Sequence, residues 1–318
     1  MTDHSRKTFL GGATAALALA GTAPARGQTA LPKLRIGSGP ADAYAEGWYG
    51  VDMGFFKNAG LDVDYSPFNS GALATAAVLS GNLDIACATT LTIASAVAKN
   101  VPLGIVAAAA VNTKAGPQAL LCVRKDGPIR TAKDMVGKTI GVNILGTSVD
   151  LAIQAWLAKN GLDPKSVKFI EILAAEVGVA IDRGTIDAFA QGEPALSDAL
   201  RRNNVRVLVD PMPSIAPRFL YAAWYATPTW AKANPDVVKR FQTAITVAGK
   251  WGNANHAASA LIVAKYTKLP VADITTMMRA DFSDGIHNEE IQPLLDTAAK
   301  FGFLPRPMTT SEIVIKTA

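Results

Sequence analysis

Two stretches decide the fold: Ser80-Gly81-Asn82-Leu83-Asp84-Ile85-Ala86 and, about a hundred residues later, Arg183-Gly184-Thr185-Ile186-Asp187-Ala188-Phe189. Each reads as the end of a helix, a glycine, a polar residue and then a short apolar strand. Recurrence of the pattern predicts two lobes built on the same α/β plan. Working outward from the first copy, Leu34-Arg35-Ile36-Gly37 is a strand, Tyr44–Lys57 an amphipathic helix closed by Gly60, and Leu61–Tyr65 an alternating strand. Ser70–Ser80 and Leu91–Lys99 read as helices, and Leu103–Ala109 as a buried strand. Around the second copy, Lys138–Val142, Val167–Ile170, Ile186–Ala190 and Val205–Val209 read as strands. A helix opens at Gly146-Thr147-Ser148 and is ended by Gly161. From Pro228 onward the pattern is helical.

The chain has 318 residues, 49% hydrophobic and 18% charged, with 31 Lys+Arg against 26 Asp+Glu. This composition excludes a disordered chain, and two cysteines exclude a disulfide scaffold. Lys and Arg are scattered, so no nucleic-acid footprint is expected. Arg6-Lys7, the apolar run Phe9–Ala20 and the small-residue site Ala23-Pro24-Ala25 have the order of a secretory signal peptide. The run is shorter than the roughly 20 residues of a membrane span. Ser5-Arg6-Lys7-Thr8-Phe9-Leu10 resembles a twin-arginine export motif with Lys in the second basic place. Cleavage after residue 25 predicts a mature periplasmic chain with no membrane insertion.

Open α/β sheets bind ligands beyond the carboxyl ends of their strands. This rule selects Asp42 and Tyr44 after the first strand, Ser70 and Gly71 after the second, and Thr89 and Thr90 after the third. In the second lobe it selects Gly146, Thr147, Ser148, Gln191 and Glu193. Ser70-Gly71, Thr89-Thr90 and Gly146–Ser148 each precede a predicted helix, where free N–H groups and small hydroxyls suit a carboxylate or sulfonate. The same hydroxyl residues are also ordinary helix N-caps. Trp224 and Tyr225, near a lobe edge, are candidates for stacking on a ligand, Trp224 being retained as a site residue. Trp48 lies on a helix face that suits the core. Asp42 and Glu193 are the acidic candidates for a ligand N–H, alongside a capping role for Asp42. No Arg falls clearly at a predicted strand end, and Arg124 and Arg218 are the ones near enough to reach these positions.

Chemistry is sparse. His256 and His287 belong to no metal-binding spacing, no nucleophile elbow or phosphate loop occurs, and no cofactor is expected. Cys87 and Cys122 sit in hydrophobic settings that favour two buried free thiols, although export would permit a disulfide.

The run Phe55-Phe56-Lys57-Asn58-Ala59-Gly60-Leu61-Asp62-Val63 resembles a segment of the periplasmic substrate-binding proteins of ABC transporters, in the nitrate/sulfonate/taurine and thiamine-pyrimidine-precursor branch. Asn69-Ser70-Gly71, Gly81–Ala86, Gly137–Gly141, Gly146-Thr147-Ser148, Gly184–Ala188 and Glu193-Pro194 follow in the family's order. The resemblance covers residues 34–200. It implies a type II periplasmic binding fold: two α/β lobes, each a mainly parallel sheet flanked by helices, with a ligand cleft between them. Lobe one is expected over residues 31–118, lobe two over 119–221, and the return to lobe one with the C-terminal helices over 222–318, after a signal peptide at 1–25. Strands Leu120–Arg124 and Phe219–Tyr225 are expected to be the crossovers. The implied function is capture of a small organic anion, a sulfonate or a carboxylate, by a monomer that delivers it to an ABC permease. The Gly192-Glu193-Pro194 segment resembles the nitrate-binding branch, but Glu193 also suits a pyrimidine-like heterocycle, which stays open. So do a periplasmic sensor and an enzyme of the same fold. The related thiamine-precursor synthases use a cysteine-rich motif and a histidine that this chain lacks, so no enzyme activity is expected.

Overall fold

Along Lys33–Ser38, Leu34 and Ile36 are completely buried while Lys33 and Arg35 are exposed, and Gly37 and Ser38 are buried too, so this strand alternates where it begins and is covered on both faces where it ends. The computed structural model describes residues 31–68 and 71–316. The expected signal peptide and Ser70 lie outside the described residues. Thirteen strands are present among them: β1 Lys33–Ser38, β2 Asp62–Pro67, β3 Ile85–Thr89, β4 Gly104–Ala108, β5 Ala110–Asn112, β6 Leu120–Arg124, β7 Thr139–Val142, β8 Lys168–Glu171, β9 Ala188–Gln191, β10 Val205–Val209, β11 Phe219–Leu220, β12 Ala222–Ala226 and β13 Asp281–Phe282.

The first sheet has the order β2-β1-β3-β12-β4 and the second the order β10-β6-β9-β7-β8. In the first, β1 lies between its parallel neighbours β2 and β3, antiparallel β12 comes next, and β4 closes the edge. In the second, β7 lies between parallel β8 and β9, antiparallel β6 comes next, and β10 closes the edge. The two lobes therefore share one plan, as the repeated Gly-polar-strand pattern predicts. A third, antiparallel sheet, β11-β5-β13, joins them.

That third sheet corrects the expected crossovers. Leu120–Arg124 is an inner strand of the second sheet, pairing β10 on one side and β9 on the other. The crossing work falls to β5 and β11, and the run Phe219–Tyr225 divides at Tyr221 between the crossing sheet and the first sheet. The expected helix Tyr44–Lys57 is also broken, into a short turn of helix at Asp42–Tyr44, then Glu46–Asp52 and Phe55–Asn58. Gly54 adopts a left-handed conformation (φ 73°) between the last two, which an α-helix cannot continue through.

Both faces of the first sheet are covered. On one side Trp48, Tyr49, Phe56 and Trp224 meet Phe241 and Ile245 of the helix Pro235–Ala254 and Val263 of the helix His256–Thr267. On the other, Leu91, Ile105 and Tyr225 meet Leu294 and Leu295 of the helix Asn288–Lys300. The C-terminal helices thus complete the first lobe. In the second lobe, Leu121 and Val123 of β6 pack on one side and Leu120 and Cys122 on the other, the period of two expected of a strand covered on both faces. No helix among the described residues is long and apolar enough to cross a membrane.

Candidate functional site

Beyond β1 the chain turns through Gly39-Pro40-Ala41 into Asp42–Tyr44. Asp42 does not cap a helix with its side chain. Its carboxylate forms a buried ion pair with Arg279 at 3.1 Å and accepts the N–H of Ala280 at 2.7 Å. Arg279 also donates to the Tyr49 hydroxyl at 2.6 Å and to the Ser259 hydroxyl and His256 carbonyl at 3.1 Å each. Asp42 is therefore a clamp on the segment entering β13. Tyr44 is half-buried beside the ring-facing side of Gly39, and burial, reinforced by Tyr221, Cys87 and Tyr225, pushes its phenol well above the usual range. It stays a neutral group at this edge.

Two helix starts carry the hydroxyl candidates. Thr89 ends β3 and caps the helix Thr90–Ala98, its Oγ1 accepting the N–H of Thr92 at 3.3 Å. Thr90 is fully buried, its N–H donates to the Tyr221 carbonyl at 2.9 Å, and its Oγ1 has no partner among the described residues. In the second lobe Thr147 caps the helix Ser148–Lys159 by accepting the N–H of Val149 at 3.3 Å. Ser148 repeats the condition of Thr90: fully buried, with Oγ unpartnered among the described residues. The Gly146 N–H donates to Asp150 at 2.6 Å. Burial raises the Asp150 carboxyl to about 6, against the lowering effect of the Gly146 bond. Gly71 opens the helix Gly71–Leu79 facing open space.

Gln191 ends β9 with both its amide nitrogen and its amide oxygen buried and unpartnered among the described residues. Glu193, two residues on, accepts from the Ser197 N–H at 3.0 Å, the Ser197 hydroxyl at 2.8 Å and the Met278 N–H at 3.3 Å. Burial raises its carboxyl above the ordinary value, and proximity of Asp42 adds to the rise.

Trp224 is corrected. It points into the first lobe's core, its ring nitrogen bonded to buried Glu46 and its six-membered ring pressed on Gly47. Parity along β12 sets this, since Ala222, Trp224 and Ala226 face the cluster that holds Phe241 while Ala223 and Tyr225 face the cluster that holds Leu294. Tyr225 bonds Thr75 at 3.0 Å. Trp48 is core as expected, stacked on Tyr266 at 5.1 Å.

The lobes meet at these elements. Leu151 and Ala152, on the helix that Ser148 opens, share a core cluster with Leu91 and Phe219. Glu193 reaches Met278, and Arg201 pairs with Asp273 at 3.2 Å. The cations near the expected cleft are already engaged: Arg124 donates to the Ile181 and Asp182 carbonyls, and Arg218 pairs with Glu290. A concavity lined by Arg124, Lys138, Gly184 and Asp187 lies where β7 and β9 begin, at the edge opposite the candidate residues.

Two residues at the site were missed. Asp150 stands three positions after the capping Thr147, a Thr-x-x-Asp signature legible in the sequence. Asn112 is fully buried at the end of β5, with its Nδ2 unpartnered among the described residues. Its signal was a polar residue closing an otherwise apolar strand. No cluster of metal-binding side chains occurs among the described residues, and both cysteines are buried free thiols, as expected.

A family model described as "NMT1/THI5 like" matches residues 45–281. In sequence the chain is 28% identical over 201 residues to the taurine-binding periplasmic protein of Escherichia coli K12. That match covers 60% of this chain and 58% of the relative, so less than two thirds of the relative's length is spanned. The periplasmic aliphatic sulphonate binding protein SsuA from Escherichia coli superposes with a TM-score of 0.76 at 18% identity, covering 90% of this chain and 92% of that one. The periplasmic nitrate-binding protein NrtA from Synechocystis PCC 6803 gives 0.71 at 17%, covering 89% and 85%. These structures share the fold. With three quarters of its length inside the family model and the two-sheet plan above, the chain belongs to the NMT1/THI5-like family and has the periplasmic binding protein fold.

Proposed function

We propose that this protein is an exported solute-binding protein that captures a small organic anion, a sulfonate or a carboxylate, between its lobes and delivers it to an ABC permease. In this reading residues 1–25 are the export signal, the lobes divide near residues 119 and 222, and a monomer acts in the periplasm by hinge closure, with no catalytic step. The observation that carries it is the pair of buried hydroxyls, Thr90 Oγ1 and Ser148 Oγ, one from each lobe, each in the first turn of a helix and each lacking a partner among the described residues. A buried hydroxyl without a partner is costly, and an anion at two helix N-termini would satisfy both. The binding-protein names of the relatives support the same reading. Because Arg124, Arg218 and Arg279 are engaged elsewhere, the charge would be met by neutral donors, which suits a monoanion better than a dianion.

A second reading has its own support. Gln191 offers a donor and an acceptor side by side, both unpartnered among the described residues, the pattern that pairs with the amide edge of a pyrimidine-like heterocycle.

A thermal-shift screen of residues 26–318 with taurine, ethanesulfonate, benzoate, nitrate and uracil separates the two. A ligand at a hundredfold excess over its Kd stabilises by about 2.7 kcal/mol. A selective shift by a sulfonate or carboxylate supports the anion reading. A selective shift by uracil replaces it with the heterocycle.

A further inference from the structure

We propose that Asn112, on the strand that carries the chain out of the first lobe, contacts the ligand through its side-chain amide N–H groups and thereby ties occupancy to the hinge. The inference rests on the anion reading above and adds a residue to that site.

Its orientation is settled by its neighbours. The Gln118 N–H donates to Asn112 Oδ1 at 3.1 Å, and only the oxygen can accept, so Nδ2 is the other end of the amide. That nitrogen is buried and has no partner among the described residues. The surrounding loop is not slack. Gln118 Nε2 donates to the Val111 and Gly116 carbonyls at 3.1 and 3.0 Å, the Gly116 N–H donates to Thr113 Oγ1 at 2.9 Å, and the Thr113 hydroxyl donates to Asp281. A loop whose polar groups are this well matched, yet which leaves one buried donor over, has that donor reserved for something else.

The register places it where both lobes converge. Asn112 stands opposite Phe219 of β11, the other crossing strand. Phe219 shares a core cluster with Leu91 and Leu151, which stand one and three positions after Thr90 and Ser148. The Gln118 carbonyl also lies so close to Gly192 that an added Cβ would come within 2.4 Å of it, setting the Asn112 loop against the link between Gln191 and Glu193. A ligand oxygen held by Thr90 and Ser148 and also by Asn112 would touch lobe one, lobe two and the strand between them.

The test is isothermal titration calorimetry of residues 26–318 with taurine, ethanesulfonate and benzoate. It compares the unmodified chain with Asn112→Asp, Asn112→Ala and Ser148→Ala. Asn112→Asp keeps an oxygen for the Gln118 N–H but removes the donors and adds a negative charge. It is expected to raise Kd at least about tenfold, Asn112→Ala by a similar factor, and Ser148→Ala should weaken binding as well. If Ser148→Ala weakens binding while both Asn112 variants bind like the unmodified chain, the Asn112 assignment falls and the anion reading stands. If the unmodified chain binds none of the three probes, both fall together. Should the variants not fold, selective 15N labelling of asparagine in the unmodified chain decides. The assigned Asn112 side-chain amide signals shift on titration if the contact exists, and stay fixed while backbone signals of Thr90 and Ser148, followed in a uniformly 15N-labelled sample, move if it does not.

Discussion

The N–H of Met278 donates to Oε1 of Glu193 at 3.3 Å, joining a residue just after β9 of the second sheet to one just before β13 of the crossing sheet, 85 positions along the chain. The same carboxylate accepts two bonds from Ser197, so it is anchored in the second lobe and reaches across from there. Glu193→Ala removes all three bonds. The expected result is a stability loss of about 1–3 kcal/mol in urea unfolding and a larger radius of gyration for the free protein by small-angle scattering. An unchanged radius would show that the bond does not hold the lobes together.

Asp150 predicts a dependence on pH. Burial lifts its carboxyl to about 6 in the folded chain, against about 3.9 when unfolded. Between these values the unfolded chain has released a proton that the folded chain keeps, so stability falls as pH rises through this window. The loss attributable to this group approaches ~3 kcal/mol. Asp150→Asn should flatten that part of the profile, and thermal melts from pH 4 to pH 7 measure the difference.

The proposed ligand contact of Thr90 sets stability against binding. Thr90→Val keeps the shape and removes a buried hydroxyl that no described group satisfies. The free protein should be as stable as the parent or more so, by up to about 1 kcal/mol, while affinity for the ligand falls. A variant that loses stability instead would mean that Oγ1 has a partner in the free protein.

Asp42 should behave as a structural residue. Its carboxylate and the Arg279 guanidinium are 2% and 6% exposed, so removing one partner leaves an uncompensated buried charge. Asp42→Ala is expected to cost about 3–5 kcal/mol. Denaturant titration of Asp42→Ala and of the double variant Asp42→Ala/Arg279→Met checks this, since the double variant should recover part of the loss.

Cys87 and Cys122 lie in different lobes, both buried. Burial pushes the Cys122 thiol up to about 12 and the Cys87 thiol well above its ordinary range, and an un-ionised buried thiol is a poor nucleophile. A thiol reagent should therefore react with neither until the chain is unfolded, and reductant should leave the melting temperature unchanged.

Much of this architecture was legible in local patterns. Val205–Val209 is a strand at the bounds its residues predict, Gly60 does take the left-handed conformation that ends its helix, and Thr89 and Thr147 are the N-caps their positions suggest. What local pattern missed depends on distant partners. Asp42 looked like a cap or a ligand contact because Arg279 stands 237 positions away. Trp224 looked accessible because local pattern places it at the end of an apolar run, and only its pairing between β3 and β4 shows that both faces of that strand are covered. Leu120–Arg124 resembled a connector because hydropathy does not distinguish a strand that crosses between lobes from one that lies inside a sheet. Strand-end position selects Thr90, Ser148 and Gln191 as candidates, whereas the unpartnered Asn112 sits on the crossing strand, where that rule does not look.

The crossing sheet has a consequence for how the chain is made. Its middle strand, β5, is complete by residue 112 and its second strand, β11, by residue 220, but β13 enters only at residues 281–282. Each lobe's own sheet can therefore assemble while the ribbon between them is still one strand short. A chain emerging amino end first would hold both lobe sheets on an unfinished joint until nearly nine tenths of it had appeared, with the helix Asn288–Lys300 that covers one face of the first sheet still to follow. The geometry of the joint is thus set late, by a segment whose position depends on the Asp42–Arg279 clamp, and substitutions there would surface as a fault of late maturation in which both lobe sheets form correctly.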